Sequence, residues 1–157
     1  LRLVGSEMCI RDRGEVDFSD TSFDPFSAQV VREGTDATIV AYGPLVPVAL
    51  AAAEAAVEDG RSIEVIDLRS ISPLDVPTVA ASVAKTGRLI VAHEAPTFGG
   101  MGGELAAAIT ERCFYSLQAP VIRVGGYYMP YPVSRVEEEY VPDIDRILEA
   151  VDRAFDY

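Results

Sequence analysis

The chain has 157 residues, 49% of them apolar, enough for a single hydrophobic core. A formal net charge of −12 argues against nucleic acid or an anionic membrane as a partner and makes a basic protein segment the better candidate. No apolar run approaches the ~18 residues of a spanning helix, and two cysteines, Cys9 and Cys113, form neither a disulfide framework nor a zinc pattern, so the chain reads as cytoplasmic.

Leu1–Arg13, LRLVGSEMCIRDR, has no alternation and no helical stripe, and the chain begins with Leu1. We read this stretch as a non-native leader, outside any fold. Residues 14–27 are polar, carry Asp17, Asp20 and Asp24, and read as a linker or an extended arm. A short strand is expected over 28–32 and a second over 37–41, with a turn at residues 34–36. Pro44 and Pro47 bracket a helix start, and Val46, Leu50, Ala53 and Val57 mark one apolar face of that helix. Gly60 is its natural stop.

IEVID, residues 63–67, predicts a third strand. Asp75 is placed to cap a helix with Pro77 in its first turn, Val76, Val79 and Val83 inside and Gly87 at its end. Residues 89–92, LIVA, read as a fourth strand covered on both faces. That run ends in His93, the only histidine, and Glu94. Gly99, Gly100, Gly102 and Gly103 follow, then a helix with Leu105, Ile109 and Cys113 inside. Residues 121–124 predict a fifth strand and 125–132 an irregular loop. Pro142 and Asp143 open the last helix, with Ile144, Ile147, Leu148, Val151 and Phe155 on its inner face. Alternating strands and helices imply a three-layer α/β/α sandwich over 28–157, with a mostly parallel five-stranded sheet.

Three features are candidates for chemistry or binding. The glycine-rich turn can cradle a phosphate at a helix N-terminus. However, no register from Gly100 completes GxGxxG, Glu104 brings a negative charge, and no Lys or Arg is near in sequence. A tight turn with close helix-to-sheet approach is the reading preferred here. His93 with Glu94 is a candidate acid/base pair, or else a hydrogen-bonded structural residue at a strand end. GYYMPYP gathers Tyr127, Tyr128, Met129 and Tyr131, which suits either an interface or the core.

Four segments also carry a resemblance: IDLRSISPLDV, SVAKTGRLIVAHEAPTFGGMGGELAAAITERCF, LQAPVIRVGGYYMPYP and EEEYVPDIDRILEAVD, in that order. Together they resemble the transketolase C-terminal-like domain of the beta subunit of thiamine-diphosphate-dependent 2-oxoacid dehydrogenases. HEAP and ERCF resemble the branched-chain type more than the pyruvate type. The resemblance implies one antiparallel edge strand and a heterotetramer of two alpha and two beta subunits. It implies decarboxylation of a 2-oxoacid and reductive acylation of a lipoyl group, with thiamine diphosphate and magnesium in the whole enzyme. The cofactor of that family lies between alpha and the amino-terminal domain of beta, so this fragment is expected to hold none and to be inactive alone. The resemblance also implies docking of a dihydrolipoyl acyltransferase core. Carried over by position, the docking residues are Gln118, Ile122 and Tyr157, with Tyr128 as a further partner-binding candidate. A bacterial cytoplasmic location follows from the same likeness. Alternatives are a pyruvate or acetoin dehydrogenase beta subunit and, in another class, a stand-alone flavodoxin-like α/β binding module.

Overall fold

The computed structural model describes residues 24–157; the expected leader, Cys9 and most of the expected arm lie outside them. Five strands form one sheet: β1 (Gln29–Arg32), β2 (Ala37–Ala41), β3 (Ile63–Asp67), β4 (Leu89–Pro96) and β5 (Ile122–Gly126). Their order is β1-β3-β2-β4-β5. β2 to β5 run parallel, and β1 pairs antiparallel with β3, so that Gln29 faces Asp67 at that strand's carboxyl end. Helices α1 (Leu45–Ala55) and α5 (Ile144–Phe155) cover one face. Helices α2 (Val76–Thr86) and α3 (Met101–Cys113) cover the other. A short helix α4 (Glu137–Tyr140) leads into α5.

The sequence explains this layering. β2 is buried along its whole length, with Ile39 in the α1/α5 core and Val40 in the α2/α3 core. β3 divides in the same way between Val65 and Ile66. Strands covered on both faces read as unbroken apolar runs, because neither side offers water to a polar residue. Helix ends follow local chemistry. The Asp75 carboxylate caps α2 by accepting from the Thr78 N–H at 3.1 Å and the Thr78 hydroxyl at 2.6 Å. Its other role was not foreseen: it also accepts from the Ala28 N–H at 2.9 Å, tying the entry of β1 to α2. Gly60 and Gly87 end their helices in left-handed geometry, with φ of 73° and 71°.

Several expectations need correction. The inner face of α1 is Leu45, Ala49, Ala52 and Ala53, not the expected stripe of Val46, Leu50, Ala53 and Val57. Alanine lets the helix axis approach the sheet, and the larger Val46 and Leu50 pack at the flank while Val57 faces solvent. β4 does not stop at Ala92 but continues to Pro96, and β5 extends into Gly125 and Gly126. A register shift between Ala92 and Pro96 absorbs the extra residues and lets Pro96 pair with Gly126. Gly102 and Gly103 belong to the first turn of α3 rather than to the turn before it. Ile144, expected inside, is 39% exposed.

One polar chain crosses the α2 interface. Glu64 on β3 is 1% exposed. It pairs with Lys85 and accepts from the Gly34 N–H at 3.3 Å. Burial alone would raise its pKa; the Lys85 ammonium, the Ser82 hydroxyl and the Gly34 N–H outweigh that and hold it low. Ser82 and Thr86 in turn reach the Thr38 hydroxyl at 2.6 and 2.7 Å.

Asp75→Ala removes a cap and the tie to β1 together. We expect a loss of about 1–2 kcal/mol in urea denaturation, and Asp75→Asn should recover most of it. Equal losses in the two variants would show that capping is not what Asp75 contributes.

Candidate functional site

The sequence directs attention to the carboxyl end of β4, where His93 is fully buried. Its Nδ1 lies 2.8 Å from the Ala95 carbonyl, inside the irregular part of the strand. A carbonyl only accepts, so Nδ1 carries the proton and Nε2 is the bare nitrogen. Nε2 has no partner, the one such buried side-chain atom among the described residues. The Tyr42 ring stacks against the imidazole with centroids 6.5 Å apart. Burial lowers the His93 pKa, and the Arg123 charge pushes the same way against the Ala95 bond. The imidazole is therefore neutral.

The glycines now have a physical reason. A Cβ at Gly102 would sit 2.6 Å from His93 Nε2, one at Gly100 2.7 Å from Cε1, and one at Gly125 3.1 Å from Cε1. Gly100, Gly102 and Gly125 thus form the wall of an imidazole socket between β4, β5 and the start of α3. The ring abuts the backbone at the start of α3, and Glu104 adds a negative charge in the first turn. Among the described residues no group of three or more His, Cys, Asp and Glu is placed to hold a metal.

His93 and Glu94 are not joined as an acid/base pair. The ring bonds Ala95 and is sealed from solvent, whereas Glu94 is half-buried. The Tyr42 hydroxyl has its pKa raised, first by burial and then by the Glu94 charge. The imidazole is held by packing against glycine backbone and by one hydrogen bond.

The partner-binding candidates separate. Ile122 is 5% exposed and packs in the α1/α5 core, because β5 turns that side chain toward α5; it presents no surface. Gln118 is exposed, and its side chain accepts from Arg88 Nη1 at 2.6 Å. The same Arg88 donates from Nε to the Ala154 carbonyl at 2.9 Å and lies over the Phe155 ring. Gln118 and the end of α5 that carries Tyr157 are therefore held together, and Tyr157 is exposed. Tyr128 is exposed at the opposite end of β5, packed edge-on against Phe98. Tyr127, Met129 and Tyr131 are exposed as well.

Two residues escaped the sequence reading. Phe114 is 64% and Tyr115 99% exposed, and their rings pack edge to face. With Leu117, Gln118, Pro120 and Val121 they line a shallow apolar groove of about 1150 Å³. The signal was present. With Leu105, Ile109 and Cys113 on the inner face, helical spacing turns the next two residues outward.

Residues 27–147 match the family described as transketolase, C-terminal domain. The pyruvate dehydrogenase E1 component subunit beta of Leifsonia xyli subsp. xyli is 54% identical over 145 residues, which are 92% of this chain and 43% of that protein. The 3-methyl-2-oxobutanoate dehydrogenase subunit beta of Mycobacterium tuberculosis is 49% identical over 142 residues, 90% of this chain and 41% of that protein. A solved structure of a split-gene transketolase, in an inactive β4 tetramer, aligns with a TM-score of 0.75 at 30% identity, covering 91% of this chain and 46% of that one. The chain thus spans less than half the length of these relatives.

The socket makes two predictions. Gly102→Ala exchanges glycine for the best helix former, a gain of about 1 kcal/mol in an open helix. Here the methyl meets imidazole, so a net loss of about 1–3 kcal/mol is expected. In a His93→Ala background the same exchange should become neutral or favourable. Equal effects in both backgrounds, measured by urea denaturation, would show that ring and glycine do not touch.

The second concerns pH. The folded His93 pKa lies below its ordinary 6.5, so the unfolded chain takes up the proton first. The contribution of neutral His93 is complete above that value and is lost as pH falls below it. Asp75 and Glu64 also have lowered pKa values, but they lose their contributions only below the ordinary carboxylate values of 3.8 and 4.5. Between about pH 6.5 and 5 the unfolding free energy should therefore decline, and in His93→Gln it should stay flat. A parallel decline in both proteins would assign it to other groups.

Proposed function

The chain belongs to the transketolase C-terminal domain family, and on that footing we propose that it is the carboxy-terminal domain of the beta subunit of a thiamine-diphosphate-dependent 2-oxoacid dehydrogenase. The observation that carries the reading is 54% identity along 145 residues to a beta subunit of such an enzyme. Relatives with pyruvate and with branched-chain names share 54% and 49% identity with the chain, so the substrate is stated as a 2-oxoacid. In the whole enzyme, thiamine diphosphate and magnesium would be bound by parts other than the glycine turn described above. An enclosed His93 whose Nε2 meets no partner suits a domain that supports assembly rather than one that moves protons.

The surfaces support a role in assembly. The exposed Phe114 and Tyr115, beside Gln118 and the α5 terminus, form an aromatic anchor of the sort that concentrates binding energy. We assign this groove to the acyltransferase core, with a basic face opposite an acidic chain. Tyr127, Tyr128 and Met129, at the other end of β5, are then available to the alpha subunit or a second beta subunit in a heterotetramer. Such an enzyme would work in the bacterial cytoplasm. Among the described residues no helix is long and apolar enough to cross a membrane.

The test is reconstitution of the full-length beta subunit with its alpha partner. Thiamine-dependent decarboxylation of pyruvate or of a branched-chain 2-oxoacid, read with an artificial electron acceptor, is expected; turnover of neither would overturn the reading. Phe114→Asp with Tyr115→Asp should leave that activity unchanged and weaken binding of the acyltransferase core at least about tenfold by calorimetry. Undiminished affinity would remove the docking assignment and leave the enzyme assignment standing.

A further inference from the structure

Acidic residues outnumber basic ones by 25 to 13 in this chain, so basic groups without a carboxylate partner stand out. The ion pairs among the described residues use Arg32, Arg61 and Lys85. Arg123, Arg146 and Arg153 are in none of them, yet all three line one cleft of about 280 Å³ at the carboxyl end of β5. Thr97, Tyr127 and Tyr128 complete its walls. A single carboxylate, Glu149, also lines it, leaving an excess of two positive charges.

Two of the guanidinium groups are held in place. Arg123 donates from Nη1 to the Thr97 carbonyl at 3.0 Å. Arg146 donates to the carbonyls of Tyr140 and Gly125 and lies 4.7 Å from the Tyr127 ring centroid. Each keeps further N–H donors beyond those bonds. Arg153 follows Arg146 by seven residues along α5 (Ile144–Phe155), two helical turns, which places it on the same face. Three like charges gathered in one concavity repel one another, and an entering anion relieves that cost. A planar guanidinium matches the paired oxygens of carboxylate and phosphate, and one already fixed loses little freedom on binding.

We propose that this cleft binds a small oxyanion, either a phosphate ester or a di- or tricarboxylate. Its volume is just below the ~300 Å³ at which drug-sized ligand pockets begin, which suits a molecule of a few carbons and not a nucleotide. The inference rests on this chain's own arginines, and it shares Tyr127 and Tyr128 with the surface offered above to a partner subunit.

The experiment uses the 157-residue chain. Thermal unfolding is followed against inorganic phosphate, citrate and, as control, sodium chloride at matched ionic strength. A ligand held by the folded state alone raises the midpoint saturably, and general screening does not. Saturation with phosphate only identifies a phosphate ester as the ligand type, and saturation with citrate only a carboxylate; either supports the site. Arg153 makes none of the structural bonds above and adds to the repulsion in the cleft, so Arg153→Gln should keep or slightly raise the unliganded midpoint and weaken binding about tenfold, while Glu149→Gln should tighten it. No saturable shift with either anion up to ~10 mM, which is weaker than any affinity three converging arginines should give, would overturn the proposal. An affinity unchanged in both Arg153→Gln and Arg123→Gln would overturn it equally.

Discussion

A sheet covered on both faces leaves no water for a polar side chain, and the rest of this structure is arranged around that constraint. At the amino end of the parallel strands the answer is complete pairing: Glu64 meets Lys85 and a backbone N–H, and Thr38, Ser82 and Thr86 satisfy one another. Removing one member would orphan the others, which costs far more than the net worth of any single bond. At the carboxyl end the answer is shape. His93 makes one bond, leaves one nitrogen bare, and is housed where Gly100, Gly102 and Gly125 carry no Cβ. The two ends of the α2/α3 face thus use opposite means, a filled polar chain and a cut-away socket.

The layering and the helix ends were legible because they follow from local rules. Asp75, Gly60, Gly87 and Asp143 act through their own backbone neighbours, and a strand such as β2 carries its burial in its composition. What escaped depends on contacts distant in sequence. The inner face of α1 was misread by one position because alanine signals helix without signalling burial, and only the sheet's proximity selects it over valine and leucine. The extension of β4 past Ala92 needs Gly125 and Gly126 to be present alongside, 30 residues away or more, and no periodicity reports that. The glycine turn was legible as a close approach, but what it approached was the histidine eight residues or so earlier, which the same stretch displayed as a separate feature.

Function divides along β5. At its amino end lie Gln118, the aromatic pair and Arg88, which pins the terminus of α5. At its carboxyl end lie Tyr128, Phe98 and the arginine cleft. Ile122, between them, is core. Exposed aromatic surface at both ends of one strand is more than a self-sufficient monomer needs, and it agrees with a domain that spans less than half of its relatives.

The reversed direction of β1 has a consequence for traffic along the backbone. Because Gln29 pairs with Asp67, the polypeptide comes in over the carboxyl rim of the sheet and runs down before the parallel strands run up. Residues 24–28 therefore stand at the carboxyl rim, on the edge of the sheet away from β5, where Asp75 already accepts from the Ala28 N–H. The polarity of a four-residue strand thus sets the direction of entry, and its place in the sheet leaves three strands between that entry and the surfaces on β5.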